Sequence, residues 1–486
     1  MPRVVVIGID GASPELLAEY ADLGVMPNYA RLKAEGCSGV LTSTIHPNTP
    51  QAWTTLFTGV DASRHGIFDF RRFDLSQRTF HYSHSGHRLA PMVWELPGVR
   101  ELRSLVVNLP LTYPATSING LMLTGMNTPS MEELTWPPEA YRDVLALEPD
   151  YRIDTLWRTY RNAEEHCLAA LRMAEARARL LERLFSRESY DLSIGVFTAT
   201  DRMQHLYWHR RHDPRDIVAR IHGVIDAFLG RLAEQLGRTG DLLLLVSDHG
   251  FTDLEADFYP NNLLRSLNLL KFQGDPHSIH ASAQVRRGFE FLDWDRTPVY
   301  AYGFFGSLYL NHLMLTPKSR NNLRDDLIGL LREGYLDTGL SAIWAKEDLF
   351  EDPASTVVPE VLLIPRHYRA MARDGSEFLS PALYDSPSLP YTGTHAPEGL
   401  YLAWGKGVPP STTALDAQDV APLVLRALSV AKPSLLHGCD RKGGFDETVL
   451  PCRGSYPTEA TQYFSKEHRT AELDHIGESL RGLGYL

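Results

Sequence analysis

Three apolar runs of the sequence end in acidic residues, and these endings have the residue types of a metal site. VVVIGI is followed by Asp10, LSIGVFTAT by Asp201 and then His205, and LLLLVS by Asp248 and His249. Near-continuous Val, Ile and Leu runs are typical of buried parallel strands, and ligands bind at the carboxyl ends of such strands. Carboxylate and imidazole groups gathered there predict a divalent metal centre.

The spacing within each ending determines how much it contributes to this prediction. Asp201 and His205 are four residues apart, so on a helix they lie one turn apart on the same face, which suits a shared ion. Alone, the pair also fits a helix N-cap and a surface histidine. Asp248 and His249 are adjacent, so a turn at the strand end is needed to aim both side chains inward. Asp10 has a structural alternative as the first residue of an Asx turn.

A fourth fragment, GTHAPEGLYLAWG, places His395 just before a further apolar run. Gly393, two positions earlier, allows the backbone to approach a site closely. The chain has 19 histidines, so most of them are not ligands. Four others are equally polar and lie in predicted loops without a strand-end partner: His46, His65, His212 and His437. His395 is therefore selected only in combination with the acidic strand ends.

The segment HPNTPQAWTTLFTG has the features of a helix start that can also bind an anion. Thr49 is predicted as N-cap and Pro50 as the first residue of a helix that runs to Thr58 and is closed by Gly59. A hydroxyl at a helix N-terminus lies where backbone N–H groups and the helix dipole favour an anion. A metal ion there would lower the pKa of the hydroxyl, and phosphate would bind beside it. The structural and functional interpretations are compatible.

Strands and helices alternate around these fragments, which predicts a doubly wound, mostly parallel α/β sheet sandwiched by helices. The predicted strands are Val4–Ile9, Gly39–Thr44, Leu105–Leu109, Leu192–Thr198, Leu242–Ser247 and Gly399–Gly405. The predicted helices are Pro14–Tyr20 after a Ser13 N-cap, Pro27–Glu35, about Thr159 to Arg187, Ile217–Leu236 and Asp419–Leu428. Because the pattern breaks up between them, we predict an α/β core at 1–253 and 391–486 with an inserted cap subdomain at 254–390.

Aromatic residues near these fragments admit two interpretations. Six rings in the 294–309 stretch have the size to stack on a nucleobase: Trp294, Tyr300, Tyr302, Phe304, Phe305 and Tyr309. An aromatic strand that packs a small core is the preferred interpretation for them. Trp53 and Trp208 flank the predicted site in sequence, and packing is preferred for both of these as well.

The chain has 486 residues, 43% hydrophobic and 22% charged, which is the composition of a soluble globular protein. A formal net charge of −12 argues against a surface that coats nucleic acid. No apolar stretch approaches bilayer-spanning length, and the N-terminal run reads as a core strand, so neither a membrane partner nor a signal peptide is predicted. The four cysteines form no CxxC motif, which favours reduced thiols in a cytoplasmic protein: Cys37, Cys167, Cys439 and Cys452.

Together, the fragments VVVIGIDG, TPQAWTTLFTG…HGI, TDRMQH, VSDHG and GTH resemble the alkaline phosphatase superfamily, particularly its type I phosphodiesterase/nucleotide pyrophosphatase branch. Their order and spacing carry the resemblance, because each motif alone is unspecific. The resemblance implies an alkaline phosphatase-like fold with two divalent ions, usually zinc, and Thr49 as the nucleophile. It implies one ligand set made of Asp10, Thr49, Asp248 and His249, and a second made of Asp201, His205 and His395.

The type of nucleophile bears on the substrate class. The sulfatase branch of the superfamily carries Cys or Ser in a C/S-x-P-x-R motif, and TPQAW has no such arginine. Phosphomonoesterases and cofactor-independent mutases of the superfamily typically use serine. A threonine therefore favours diesters, nucleotides or phosphonates as substrates.

Two positions depart from the family pattern. An asparagine that helps to bind a phosphoryl oxygen in nucleotide pyrophosphatases aligns with Phe70, so that donor is unassigned and Asn48 is a nearby candidate. The family's proline two residues after the nucleophile is replaced by Gln51, with Pro50 one place earlier. Two further threonines stay open as alternative nucleophiles: Thr44 and Thr54.

We therefore predict a two-metal hydrolase that cleaves phosphodiester or nucleotide pyrophosphate-type bonds in a small-molecule phosphate ester or nucleotide, through a phosphothreonine intermediate. Three carboxylates against two divalent ions leave about one positive charge, which suits an anionic ester. Sites of this type also accept Mn²⁺ or Fe. The alternatives are a phosphomonoesterase, a phosphonate hydrolase or a phosphomutase and, in another class, a metal-binding protein without turnover. The sequence assigns no oligomeric state.

Overall fold

The computed structural model describes residues 3–156, 159–273, 288–335, 339–352, 355–373 and 382–431. The predictions for the tail from about Lys432, with Cys439, Cys452 and His437, lie outside these ranges. The strands are β1 (Val4–Ile9), β2 (Cys37–Thr42), β3 (Arg71–Asp74), β4 (Thr79–Tyr82), β5 (Ser104–Leu109), β6 (Gly120–Thr124), β7 (Thr135–Trp136), β8 (Leu192–Phe197), β9 (Leu242–Val246), β10 (Gly250–Asp253), β11 (Ala256–Phe258), β12 (Val299–Tyr302), β13 (Ser307–Leu310), β14 (Leu340–Ala345), β15 (Val361–Pro365), β16 (Ala370–Ala372), β17 (Tyr384–Asp385), β18 (Gly393–Ala396), β19 (Glu398–Gly405), β20 (Ser411–Thr412) and β21 (Leu415–Asp416). The α-helices are α1 (Pro14–Asp22), α2 (Pro27–Glu35), α3 (Thr49–Thr58), α4 (Ala62–His65), α5 (Tyr141–Leu147), α6 (Ala163–Arg187), α7 (Ala199–Tyr207), α8 (Ile217–Thr239), α9 (Pro260–Ser266), α10 (Pro317–Gly334) and α11 (Val420–Ala427).

Within the described ranges, ten strands form one large sheet in the order β20–β2–β19–β9–β1–β8–β5–β6–β7, and β21 also pairs with β2. Strand β1 lies parallel to β8 and β9, and β5 lies parallel to β6 and β8. The antiparallel pairs are β19 with β2, β19 with β9, and β6 with β7. The prediction of a mostly parallel sheet is confirmed.

Helices cover both faces of this sheet, as β1 shows. Val5 and Ile7 belong to a hydrophobic cluster with residues of α1, α2, α6 and α8. Val4 and Val6 belong to a second cluster with residues of α3 and α11. Because successive side chains of a strand point to opposite faces, an unbroken apolar run is the sequence of a strand buried on both sides. The predicted layer of helices on each face is confirmed.

The chain divides into two compact units. The first comprises the described parts of Met1–Ile67, Ser83–Phe251 and His395–Leu486, and the second those of Phe68–Tyr82 and Thr252–Thr394. The second unit contains a four-stranded sheet ordered β12–β13–β15–β14, a three-stranded sheet ordered β16–β11–β17, and the β3–β4 hairpin. The role of 254–390 as a cap stays a prediction.

The β3–β4 hairpin belongs to a different unit from the one that the sequence predicted. It falls inside the range predicted as core, 1–253, whereas the structure groups it with the second unit. The reason is aromatic packing, because the Phe73 ring lies 5.0 Å from that of Phe289 and 5.1 Å from that of Trp294. The hydrophobic cluster of this unit also contains Tyr300 and Tyr302. These contacts agree with the preferred interpretation of the 294–309 aromatics as core residues.

Two helix starts show one accurate and one inaccurate sequence prediction. Ser13 caps α1, and its hydroxyl accepts a hydrogen bond from the Leu16 backbone N–H at 3.1 Å, as predicted. Helix α6 begins at Ala163 rather than at about Thr159, because the Asn162 side chain accepts from the Glu165 N–H and caps the helix there.

Candidate metal centre and nucleophile

The predicted ligands that follow β1, β8 and β9 meet at one edge of the large sheet because these strands are neighbours. Strand β1 lies between β9 and β8, with Ile9 opposite Phe197 and Gly8 opposite Val246. Parallel strands end at the same edge, so Asp10, which follows β1, lies beside the residues that follow β8 and β9. Helix α7 starts two residues after β8, and its first turn brings Asp201 to this edge.

Asp201, His205 and His395 form the first of two compact groups at this edge. Their ligand atoms all lie within 4.8 Å of one another. Asp201 Oδ1 is 3.4 Å from His205 Nε2 and 3.2 Å from His395 Nε2, and the two imidazole Nε2 atoms are 3.1 Å apart. The spacing of four residues on α7 therefore puts Asp201 and His205 on one face, as predicted.

Asp10, Asp201 and His249 form the second group, again within 4.8 Å. His249 Nε2 lies 3.6 Å from Asp10 Oδ1 and 3.2 Å from Asp248 Oδ2. Thr49 Oγ1 is 3.3 Å from the same nitrogen. The seven predicted residues are thus brought together, and Asp201 belongs to both groups. Their assignment as ligands stays a prediction.

Each of the three carboxylates has one oxygen held by a neighbouring donor. The Trp53 indole N–H donates to Asp10 Oδ2 at 3.1 Å, and the Gly11 backbone N–H donates to Asp248 Oδ1 at 3.2 Å. An Arg202 Nη1–H donates to Asp201 Oδ2. The other oxygens of two of these carboxylates, Asp10 Oδ1 and Asp248 Oδ2, are buried and accept no hydrogen bond. Buried acceptors left open in this way fit cation ligands whose outer contacts fix their orientation.

Two glycines are required by this packing. A Cβ atom on Gly8 would approach the Trp53 ring to 2.5 Å, so any side chain there would displace the indole that holds Asp10. Gly11 has a φ of 71°, in the left-handed region that favours glycine, and a Cβ there would come within 2.8 Å of Gln204 Nε2. The glycines of VVVIGIDG thus serve the geometry of the site.

Backbone carbonyls orient two of the histidine rings. His395 Nδ1–H donates to the Pro47 carbonyl at 2.8 Å, and His249 Nδ1–H donates to the Gly250 carbonyl at 3.0 Å. A carbonyl only accepts, so these contacts assign the proton to Nδ1 and turn the Nε2 lone pair toward the carboxylates. A neutral imidazole in this tautomer is the form that binds a metal ion.

The pKa values of the buried carboxyl groups are shifted in two directions. Burial and the neighbouring Asp201 carboxylate raise the pKa of Asp10 well above its usual range, and burial and the Asp10 carboxylate do the same for Asp248. Burial also opposes ionisation of Asp201, but His205 and Arg202 outweigh it and hold its pKa well below the usual range. Burial lowers the pKa of His249 and of His395. Three buried carboxyl groups beside imidazoles whose protonation burial opposes, those of His249 and His395, are suited to divalent ions.

The hydroxyl contacts distinguish Thr49 from the two alternative threonines. Thr44 Oγ1 donates to the His46 carbonyl at 2.8 Å, and Thr54 Oγ1 donates to the Pro50 carbonyl at 2.6 Å. Thr49 Oγ1 instead faces His249. The prediction of Thr49 as N-cap is wrong by one residue, because Asn48 has the extended backbone of the cap position and Thr49 begins the helix. The hydroxyl still lies in the first turn of α3.

Three of the four other histidines named above lie within the described residues, and none of the three belongs to either candidate metal group: His46, His65 and His212. His65 Nε2 contacts Thr55 Oγ1 at 2.9 Å, and His212 pairs with Glu19 at 2.7 Å. His46 is buried, and His437 lies outside the described residues. Phe70 is fully buried and has no side-chain donor.

Arg202 was missed as a site residue, and Trp53 was interpreted as a packing residue, although both have a signal in the sequence. Trp53 lies one helical turn after Thr49, so it returns to the same face of α3. Arg202 directly follows Asp201. Trp208, by contrast, packs against Phe251 with ring centroids 5.2 Å apart, as the packing interpretation predicted.

Fold and site together define the class of this protein as an alkaline phosphatase-like α/β protein with candidate metal-binding groups at the strand ends. The model of the type I phosphodiesterase/nucleotide pyrophosphatase family matches residues 4–301, more than half of the chain. The chain belongs to this family, which confirms the predicted resemblance. It is therefore a phosphodiesterase/pyrophosphatase-like hydrolase of the alkaline phosphatase superfamily.

Solved structures show the same fold. Phosphonoacetate hydrolase from Sinorhizobium meliloti 1021, in complex with phosphonoacetate, matches with a TM-score of 0.60 and 15% identity, over 88% of this chain and 96% of that one. Murine ectonucleotide pyrophosphatase/phosphodiesterase 5 matches with a TM-score of 0.51 and 14% identity, over 88% of this chain and 95% of that one. Comparison with curated proteins returns no match. Every helix in the described ranges is too short or too polar to cross a lipid bilayer.

Proposed function

We propose that the protein is a two-metal hydrolase of phosphodiester or nucleotide pyrophosphate-type bonds, with Thr49 as its nucleophile. One observation carries this proposal: the Thr49 hydroxyl lies 3.3 Å from His249 Nε2, which is itself within 3.6 Å of the carboxylates of Asp10 and Asp248. A hydroxyl buried against such a cluster is positioned for activation. Family membership supports the reaction class.

The two ligand sets proposed for the ions lie close together, because Asp201 belongs to both compact groups, but they differ in composition. Asp10, Thr49, Asp248 and His249 would hold one ion, and Asp201, His205 and His395 the other. Zinc is the proposed metal, and Mn²⁺ or Fe are also compatible with Asp and His ligands. When bound, the ions would supply positive charge that stabilises the attacking and leaving oxygens of an in-line displacement.

Thr49 performs the covalent step in this proposal. Its Oγ1 loses its proton and forms a bond to phosphorus while the bond from phosphorus to the leaving oxygen breaks. The leaving oxygen takes up a proton, and a phosphothreonine ester remains. Water then cleaves that ester, restores the hydroxyl, and leaves the net hydrolysis of one phosphorus–oxygen bond. The first turn of α3 contributes the positive end of its dipole to the anionic phosphoryl group.

Asn48 is the proposed donor to a phosphoryl oxygen in place of the residue at position 70. It occupies the N-cap position of α3, yet its side chain makes no capping hydrogen bond, and its Nδ2–H groups are the donors that such a contact would use. An N-cap asparagine normally accepts a hydrogen bond from the first turn. A carboxamide that is not used for capping, one residue from Thr49, is available to contact the substrate.

Replacing Asn48 with alanine is expected to lower kcat/KM for a diester by about 10²–10³-fold, the effect of losing one oxyanion donor. The thermal unfolding midpoint should change little, because no capping bond is lost. Steady-state kinetics and thermal unfolding of the variant measure both quantities.

Asn162 provides a matched control for this substitution. It is also an N-cap asparagine, but its side chain accepts from the Glu165 N–H at 2.9 Å. Asn162→Ala should therefore reduce the free energy of unfolding by about 1 kcal/mol and leave the kinetics unchanged. A normal rate for Asn48→Ala would exclude this asparagine as the donor.

Hydrolysis of a phosphonate is the second candidate function, supported by the fold shared with phosphonoacetate hydrolase. The two candidates are separated by parallel assays of the metal-loaded protein with bis(p-nitrophenyl) phosphate, p-nitrophenyl phosphate and phosphonoacetate. We expect the diester to react fastest. Faster phosphate release from phosphonoacetate would favour the second candidate, and turnover of the monoester alone would indicate a phosphomonoesterase.

A further inference from the structure

Arg202 is a buried cation that binds two carboxylates at once. One edge of its guanidinium binds Asp154, with Nε 3.1 Å from Oδ1 and Nη2 2.9 Å from Oδ2. Its Nη1 donates to Asp201 Oδ2. The side chains of Arg202 and Asp154 are 3% and 7% exposed, so solvent does not screen this pair.

A second buried arginine holds the segment that carries Asp154. Arg177 Nη2 donates to the carbonyls of Arg152 and Ile153, both at 2.8 Å. Arg177 Nη1 donates to the Val196 carbonyl at 2.9 Å, at the end of β8. The segment before Asp154 is therefore fixed to the same strand end from which α7 and Asp201 follow.

The geometry of the guanidinium explains why an arginine is used at this position. Its planar fork offers five N–H donors, so one edge can bind Asp154 in a bidentate manner while Nη1 reaches Asp201. Holding Asp201 Oδ2 leaves Oδ1 directed at His205 and His395, 3.4 and 3.2 Å away. A lysine keeps the charge but cannot present two fixed edges.

Charge alone would make Arg202 a poor neighbour for a cation site. A positive group in contact with a ligand carboxylate repels an incoming divalent ion, and this repulsion is strong where solvent is excluded. Any benefit to ion binding must therefore come from the orientation that Arg202 gives to Asp201. Removing Arg202 should therefore tighten ion binding if charge repulsion dominates, and weaken it if the orientation of Asp201 dominates.

We propose that Arg202, held by Asp154, is a positioning residue that sets the orientation of Asp201 for the ion bound by Asp201, His205 and His395. The inference rests on the proposed metal centre. It assigns to Arg202 and Asp154 an indirect role through Asp201, without contact to the substrate.

The test is a titration of Zn²⁺ into the full-length, chelator-stripped protein against a competing colorimetric indicator. Arg202→Lys and Arg202→Gln should each weaken one of the two sites by about 10–100-fold, the usual effect of losing an outer-shell partner. Asp154→Asn should weaken the same site, without a further loss when combined with Arg202→Gln. The visible spectrum of bound Co²⁺ should change in these variants, because it reports coordination geometry.

Arg88→Gln is the matched control, because it breaks another buried ion pair, Arg88 with Glu95 at 2.7 Å. It should lower the unfolding midpoint and leave Zn²⁺ affinity unchanged. If Arg202→Gln does not fold, Arg202→Lys and Asp154→Asn carry the test. Unchanged or tighter Zn²⁺ binding by the Arg202 and Asp154 variants would overturn the inference. Absence of Zn²⁺ binding by the wild type would instead overturn the proposed metal centre.

Discussion

Replacing Thr49 with alanine is expected to lower the rate of diester hydrolysis by a factor on the order of 10⁴ or more, since removing a catalytic nucleophile has effects of this size. The expectation follows from the position of its hydroxyl, which faces His249 in the first turn of α3. Initial rates with bis(p-nitrophenyl) phosphate measure the loss. Thr49→Ser should retain measurable activity because it keeps the hydroxyl.

Two controls identify the cause of that loss. Metal analysis of Thr49→Ala should show both ions retained, because six other ligands remain. Thr54→Ala removes a hydroxyl from the same buried helix, but that hydroxyl donates to the Pro50 carbonyl. The Thr54→Ala variant should hydrolyse the diester at the wild-type rate. Undiminished hydrolysis by Thr49→Ala would refute the nucleophile assignment, and loss of activity in Thr54→Ala would point to the alternative threonine.

Replacing Asp248 with asparagine is expected to have opposite effects on function and on the stability of the metal-free protein. Activity should fall by more than about 100-fold, beyond the range for an outer-shell partner, because a proposed ligand is lost. The chelated variant, however, should be more stable than the chelated wild type. The reason is that Asp248 is buried, its Oδ2 accepts no hydrogen bond, and it lies near the carboxylates of Asp10 and Asp201.

The pH dependence of this stability difference has a definite sign. Burial and Asp10 raise the pKa of Asp248 in the folded state. Such a carboxyl contributes its full stabilisation at pH values below its unfolded pKa of about 4. This contribution is lost as pH rises through the folded pKa. Without metal, the advantage of Asp248→Asn should therefore grow as pH rises above about 4. Saturating Zn²⁺ should reverse the order of stability.

Thermal unfolding in chelator and in Zn²⁺, across a pH series, measures both effects. Asp226→Asn is the matched control, because Asp226 is equally buried but accepts hydrogen bonds from Asn28 and Tyr29 at 2.7–3.1 Å. It should destabilise the protein equally with and without metal. A chelated Asp248→Asn protein less stable than the wild type at all pH values would contradict the account.

Much of this site follows from local patterns in the sequence. The run before Asp10 is apolar at every position because β1 is buried on both faces, and this pattern gives the strand its predicted bounds. The prediction that Asp201 and His205 share one face followed from their four-residue spacing and needed only a helix after β8. Pro50 and Gly59 delimit α3 by their backbone preferences, with an error of one residue at the cap.

The remainder depends on contacts between distant segments. Asp154 lies outside any helix or strand, and its pairing with Arg202 is set by the fold, which no local pattern encodes. The role of Trp53, on helix α3, depends on the space left by Gly8 on strand β1. The placement of the β3–β4 hairpin depends on rings more than 200 positions along the chain.

The most direct test of a metal-dependent phosphoryl hydrolase is the rate of bis(p-nitrophenyl) phosphate hydrolysis before and after metal removal. The wild type is stripped with a chelator, its metal content is measured, and Zn²⁺ or Mn²⁺ is then added back. We predict that activity disappears with the metal and returns as two ions per chain are restored. Hydrolysis that persists in the stripped protein, or a reloaded protein that cleaves no diester, would contradict the account.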